Sequence, residues 1–233
     1  NKILFIYNKN PRKLLSEVAS RFYKSKPKNI IAVTGTNGKT SIANFYYQIL
    51  TLNNKKVAAI GTLGVLSRIF NLKTNNTTID PLNIHKILNK LKEHKIDNVI
   101  LEASSHGLKQ YRLNGINFNT ALFTNLSRDH IDYHKTFKDY LNSKLILFNS
   151  LLNNKGNIIF DDKITQAKQL NNILKKRKLK KYSFGTKKSF INILNIQKIN
   201  NQKKINFSIN KKIYSFKTSL IGKVQIKNLM FAI

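Results

Sequence analysis

Cysteine is absent from the 233 residues, so no disulfide can staple the fold and no thiolate can hold a metal. That absence fits a cytoplasmic protein. No apolar run is long enough to cross a bilayer, and the start lacks the basic-then-apolar pattern of a secretory signal. Acidic residues are scarce: ten Asp and Glu stand against 42 Lys and Arg, a formal net charge of +32. Such an excess raises the question of nucleic acid or acidic membranes as partners. A nucleic-acid footprint needs cations gathered with aromatics along a groove. Here Lys is scattered among abundant Asn and Ile. The densest run, KKRKLKK at Lys175–Lys181, reads as the end of a helix entering a strand, where cations suit the helix C-terminus. The charge is therefore read as compositional, with no nucleic acid and no membrane expected as partner, although a basic surface still attracts small anions. An initiator methionine is also missing, since the first residue is Asn1, which reads as a processed chain or a fragment.

What is present is an ordinary apolar fraction, 41%, enough to bury a core. From Lys28 onward short apolar runs alternate with helical patterns, the signature of stacked βαβ units. Strands are expected at Ile30–Thr34, Val57–Gly61, Asn98–Ala103, Thr120–Asn125 and Asn157–Phe160. Helices are expected from about Lys39 to Leu52, from Pro81 through the spaced Ile84, Ile87, Leu88 and Leu91, from about Thr136 to Leu151, and up to about Lys176. Beyond Tyr182, INILNIQKI, INFSI and KIYSFKT read as short antiparallel strands, a small side sheet. A last helix begins after Gly222 and is cut off at Ile233. The fold class is thus α/β: a phosphate-loop-bearing, mostly parallel sheet flanked by helices, with a small antiparallel side sheet near the C-terminus.

The stretch AVTGTNGKTS, Ala32–Ser41, departs from the familiar phosphate-loop spacing G-x-x-x-x-G-K-[ST], because Val33 stands where the first glycine belongs. The parts it keeps are those the physics requires. Gly35 and Gly38 give the backbone freedom to converge N–H groups on an anion, with a helix N-terminus behind them. Lys39 adds a cation, and Thr40 a hydroxyl for Mg²⁺.

TGTNGKT is the form of this loop seen in the Mur ligases and their folylpolyglutamate synthase relatives. Further motifs follow in order: NTTIDP (Asn76–Pro81), LEASSHGLKQYR (Leu101–Arg112), FTNLSRDHIDYH (Phe123–His134), LNSKLILF (Leu141–Phe148) and IGKVQIKN (Ile221–Asn228). Together they resemble the UDP-N-acetylmuramoyl-L-alanyl-D-glutamate ligases, the MurE type, from about residue 10 to the end. The resemblance implies an ATP-dependent ligase that adds a diamino acid to UDP-N-acetylmuramoyl-L-Ala-D-Glu through an acyl phosphate, in cytoplasmic peptidoglycan synthesis. It implies residues 1–26 as a remnant of an N-terminal uridine-nucleotide-binding domain and residues 27–233 as the central ATP-binding domain. ATP, two Mg²⁺ ions and a monomeric state go with it. Lysine or meso-diaminopimelate as the added amino acid stays open.

Residue by residue, the resemblance assigns Gly35, Thr36, Asn37, Gly38, Lys39, Thr40, Ser41 and Asn228 to ATP. Lys39, Glu102, His130 and a carbamylated Lys144 become catalytic, with Thr40, Glu102, His130 and Lys144 as metal ligands. Thr77, Thr78, Ser104, Gln110 and Arg112 face the muramoyl dipeptide. By position alone, Glu102 reads equally as a solvated acid at a strand end or as a ligand at the carboxyl edge of the sheet. His134, four residues after His130, lacks a third nitrogen or sulfur partner for zinc and reads as a hydrogen-bonded structural histidine. Lys144 lies in the middle of an apolar stripe of Phe137, Tyr140, Leu141, Phe148 and Leu151, so it must snorkel or lose its proton. Gln225 replaces an asparagine usual in the family beside the adenine. A basic phosphate-loop protein acting on nucleic acid would explain the charge and the loop. It would leave SSHGLKQYR and SRDHIDYH without a role.

Overall fold

The structure, a computed structural model, describes residues 6–129 and 131–233. Its elements in chain order are α1 (Pro11–Phe22), β1 (Asn29–Thr34), α2 (Lys39–Leu52), β2 (Val57–Gly61), β3 (Gly64–Ser67), α3 (Pro81–Glu93) and β4 (Asn98–Glu102). Then come α4 (Ser105–Lys109), β5 (Phe118–Phe123), α5 (Ile131–His134), α6 (Phe137–Ile146) and a π-helical turn at Leu147–Leu151. The chain closes with β6 (Leu152–Asp161), α7 (Ala167–Arg177), β7 (Lys180–Phe184), β8 (Ile191–Ile199), β9 (Gln202–Ile209), β10 (Lys212–Thr218) and α8 (Lys223–Ala232). Among the described residues no helix is long and apolar enough to cross a membrane.

The ten strands among the described residues form one sheet in the order β10-β9-β8-β7-β6-β5-β1-β4-β2-β3. From β2 to β7, leaving β3 aside, neighbours run parallel. Their continuous apolar runs follow from burial on both faces. Alternate residues of one strand serve two cores: Val99 and Leu101 pack with Ile84, Leu88, Phe148 and Leu170 on one face, while Ile100 packs with Ile42, Ala43, Ile226 and Met230 on the other. Helices α3, α6 and α7 therefore cover one face, and α2 and α8 the other. The antiparallel strands β8–β10 pair as expected, but they continue the main sheet instead of standing beside it. The junction is a single parallel pairing, Phe184 with Ile191.

Helix ends follow local chemistry. Asp80 caps α3 by accepting from the Asn83 N–H at 3.1 Å, with Pro81 at the first helical position. Gly38 opens α2 from a left-handed φ of 90°. Several features were not expected. The hairpin strand β3 and the one-turn helix α4 are too short to show a period. The single helix expected from Thr136 to Leu151 stays α-helical only to Ile146 and then widens into the π turn. The strand expected at Asn157–Phe160 starts five residues earlier, at Leu152.

Candidate active site

The carboxyl edge of the central strands carries the site, since β1, β4 and β5 deliver Thr34, Glu102 and Phe123 side by side. The loop after β1 is braced from the end of β5. Thr124 Oγ1 and Asn125 Nδ2 donate to the Asn37 carbonyl at 2.7 and 3.1 Å. Asn37 N–H donates to Asn125 Oδ1 at 2.9 Å, and Thr36 N–H to the Asn125 carbonyl at 3.0 Å. Gly35, at φ 149°, passes so close to this brace that a Cβ there would lie 1.9 Å from Thr124 Oγ1. Gly38 is walled by Asn228, whose Oδ1 would lie 2.7 Å from a Cβ. Both glycines are thus needed for close approach as well as for dihedral freedom.

The loop is rich in inward-turned cations. Lys39 Nζ folds back to donate to the Gly35 and Thr36 carbonyls at 3.0 and 2.9 Å. Burial lowers its pKa, opposed by the charges of Glu102 and Asp129. Lys144 is only 1% exposed. Its Nζ donates to the Gly35 carbonyl at 2.9 Å and sits 4.3 Å above the Tyr140 ring. Burial, helped by the Lys39 charge and opposed by Asp129, pushes its pKa down to about 7. It does not snorkel. Near neutral pH a substantial share of such amines is unprotonated and nucleophilic. Of the stripe around it, Tyr140, Phe148 and Leu151 are buried, whereas Phe137 is exposed.

On the other side of Thr40 lies Glu102, also buried. Thr40 Oγ1 donates to Glu102 Oε2 at 2.9 Å. Thr62, just past β2, donates its N–H to Oε1 at 2.9 Å and its hydroxyl to Oε2 at 3.2 Å. Gly61 leaves room for that carboxylate, since a Cβ there would meet Oε1 at 2.1 Å. A hard cation fits this pair: one carboxylate and one hydroxyl oxygen, at the mouth of a phosphate loop, match the sparse protein donor set Mg²⁺ takes beside phosphates. The solvated strand-end reading of Glu102 is set aside by its burial.

The five residues expected to face the dipeptide converge at the end of β4. Thr78 Oγ1 donates to the Glu102 carbonyl and lies 2.9 Å from Ser104 Oγ, while Ser104 N–H donates back to Thr78 Oγ1 at 2.9 Å. Ser104 also caps α4 through the Gly107 N–H. Thr77 Oγ1 lies 3.1 Å from Thr62 Oγ1. Arg112 donates through Nε and Nη2 to Gln110 Oε1 at 3.0 and 2.7 Å and through Nη1 to the Thr78 carbonyl at 2.7 Å. Gln110 and Arg112 line a cavity of about 180 Å³ together with Arg12, Leu15 and Pro81.

Ser41 occupies the first turn of α2. Asn228 is buried, and Gln225 turns back to accept from it at 3.5 Å within the same helix. His130 lies outside the described residues. His134 is buried, with Nδ1 3.3 Å from Ser143 Oγ and 3.6 Å from Asp139 Oδ2. Its pKa is lowered by burial first and by Lys109 next, with Asp139 opposing, as suits a structural histidine. Sequence reading missed Thr62, Thr124, Asn125 and Tyr140, whose hydroxyl lies 3.1 Å from Thr36 Oγ1. The one available signal was position: Thr124-Asn125 directly follows the apolar strand that ends beside the loop.

Comparison with known proteins matches residues 33–233 to the Mur ligase middle domain. The UDP-N-acetylmuramoyl-L-alanyl-D-glutamate–2,6-diaminopimelate ligase of Rickettsia bellii (strain RML369-C) is 40% identical, over 100% of this chain and 49% of its own length. The ligase of the same name from Zymomonas mobilis is 38% identical, over 96% of this chain and 46% of its own. The chain thus spans about half the length of these relatives. Among solved structures, a ligase of that name superposes with a TM-score of 0.87 at 28% identity, covering 97% of this chain and 47% of that one. The folylpolyglutamate synthase of L. casei shares the fold, with a TM-score of 0.76 at 13% identity, over 99% of this chain and 62% of its own.

Proposed function

Because the chain belongs to the Mur ligase middle-domain family, we propose that it is the ATP-binding core of a MurE-type ligase of peptidoglycan precursors. The proposed reaction joins the D-glutamate side-chain carboxyl of UDP-N-acetylmuramoyl-L-Ala-D-Glu to the amine of a diamino acid, as ATP is cleaved to ADP and phosphate. The names of the Rickettsia and Zymomonas relatives support 2,6-diaminopimelate as that diamino acid. The reaction belongs to the cytoplasm in this reading, with the protein acting as a monomer.

One observation carries the proposal: an unbroken set of contacts runs from the phosphate loop through Thr40 and Glu102 to Thr78 and Arg112, the residues proposed to face the dipeptide. Backbone N–H groups of Gly35–Ser41 hold the nucleotide phosphates at the N-terminus of α2. Lys39 exchanges its loop carbonyls for phosphate oxygens, and Asn228, against Gly38, lies at the base. Thr40, Glu102, His130 and Lys144 are the residues that would hold two Mg²⁺ ions. When bound, Mg²⁺ supplies charge neutralisation at the transferring phosphoryl group, where positioning and electrostatics do most of the work. Lys144, as a neutral buried amine, adds to CO₂ and loses one proton. The resulting carbamate would turn this side chain from a nitrogen base into an anionic oxygen donor. Arg112, held planar by Gln110, suits a substrate carboxylate.

Labelling with [¹³C]bicarbonate tests the least ordinary part. A carbamate carbon resonance should appear in the wild-type chain and vanish in Lys144→Arg. Its absence from wild type at saturating bicarbonate would remove Lys144 from the metal set. The relatives are about twice as long, so the chain by itself is expected to bind nucleotide weakly without completing ligation. Robust amide formation by the chain alone would contradict that.

A further inference from the structure

Thr62 belongs to no assigned group, yet it touches both halves of the site. Its N–H and hydroxyl hold the two oxygens of Glu102, at 2.9 and 3.2 Å. Its hydroxyl also lies 3.1 Å from that of Thr77. The segment bearing Thr77 is tied to the same corner elsewhere. Leu72 exchanges backbone hydrogen bonds with Val65, and Gly64, at φ 86°, packs so closely that a Cβ there would lie 2.1 Å from the Leu72 carbonyl. Thr74 Oγ1 reaches the Gly61 carbonyl at 3.5 Å.

Proton counting gives this chain of hydroxyls a direction. A carboxylate only accepts, and a threonine hydroxyl has one proton to give. While Thr62 donates to Glu102, the bond between the two threonines must be donated by Thr77, whose proton is then turned away from any ligand. A cation on Glu102 Oε2 competes with both hydroxyls that donate there, Thr40 at 2.9 Å and the longer, weaker Thr62 at 3.2 Å. The Thr62 proton is then free to turn to Thr77 Oγ1, which would leave the Thr77 proton available to another acceptor. We propose that Thr62 is a positioning residue that couples the charge state at Glu102 to the hydrogen-bonding role of Thr77. It would thereby make the dipeptide-facing segment respond to nucleotide and metal. The inference rests on the nucleotide reading above. Coupling of this kind is reciprocal, so a ligand on Thr77 would favour the cation in turn.

The test is an NMR titration of the full chain with Mg²⁺ and a non-hydrolysable ATP analogue, following the Gly38 amide and the Thr77 methyl group. In wild type both signals should shift. In Thr62→Val the Gly38 shift should persist while the Thr77 shift falls to that of a remote threonine such as Thr218. Thr62→Ser, which keeps the hydroxyl, should restore it. Unchanged thermal melting of Thr62→Val would show that the fold is intact. An equal Thr77 shift in Thr62→Val, or a silent Thr77 in wild type beside a shifting Gly38, overturns the coupling. A silent Gly38 in wild type overturns the nucleotide reading itself, and the coupling with it.

Discussion

The centre of the sheet and its antiparallel edge are built from the same residue types under opposite constraints. Strands β1 and β4 are buried nearly throughout, and the charged groups near them, Glu102 and Lys144, are buried and hydrogen-bonded. Along β8 and β10 every residue is exposed or half-exposed, and polar residues, Lys198, Lys212 and Lys217 among them, are interspersed with Ile, Tyr and Phe. A charge in the centre must have a partner, because burial without one is costly. A charge at the edge needs only solvent, and Lys on an edge strand also discourages pairing with other chains. The excess of +32 therefore says little about the site, where each cation is placed by a named acceptor.

Substitutions at the two places should differ sharply in their cost. Phe123→Ala removes a fully buried ring that packs 6.0 Å from the Phe148 ring, just before Thr124. It should cost about 3–5 kcal/mol in urea unfolding; a loss as small as that at the edge would erase the distinction.

Acid comes next. His85 is buried with its Nε2 2.9 Å from the Asn114 carbonyl, and its Nδ1 has no partner among the described residues. Burial first, then Lys26, depresses its pKa from 6.5 to about 4, opposed by the Asn114 carbonyl. Between those values the folded chain keeps it neutral while the unfolded chain binds a proton. Stability from this group is thus complete above about pH 6.5 and drains away as pH falls toward 4, by on the order of 2–3 kcal/mol. All five histidines precede Lys135, so hydrogen exchange at pH 5 should rise around α3 and β4 before it rises in β8–β10. Equal loosening at both ends would contradict the assignment.

The smallest effect belongs to the edge. Tyr214 is 46% exposed and stacks at 5.7 Å on Phe207, its partner directly across the ladder. Tyr214→Ala should cost at most about 1 kcal/mol by thermal or urea melting. A larger loss would mean that this edge contributes to stability as the centre does.

The same contrast explains what the sequence disclosed. The helix α2 and the strand β2 were legible to the residue, because burial on both faces or a glycine cap leaves a sharp mark. Strand β3 and helix α4 were not, since four or five residues carry no readable period. The π turn was invisible because Phe148 and Leu151 keep an apolar stripe going whether the backbone closes every four residues or every five. In the site, the positions of Glu102 and Lys144 stood out because each ends or breaks an apolar pattern, while their expected roles came from the family resemblance. Thr62, Thr124 and Asn125 did not stand out, because a polar residue just past a strand is ordinary until its partner across the sheet is known.

In the proposed function, Thr40 and Glu102 form a cation site serving a nucleotide on the Gly35–Ser41 loop. Calorimetric titration of an ATP analogue, with and without Mg²⁺, against wild type and Glu102→Gln tests it most directly. Mg²⁺ should tighten binding to wild type on the order of tenfold or more, Glu102→Gln should lose this gain, and Lys39→Ala should weaken binding in both conditions. Equal affinity of wild type with and without Mg²⁺, or an undiminished Mg²⁺ effect in Glu102→Gln, would contradict it.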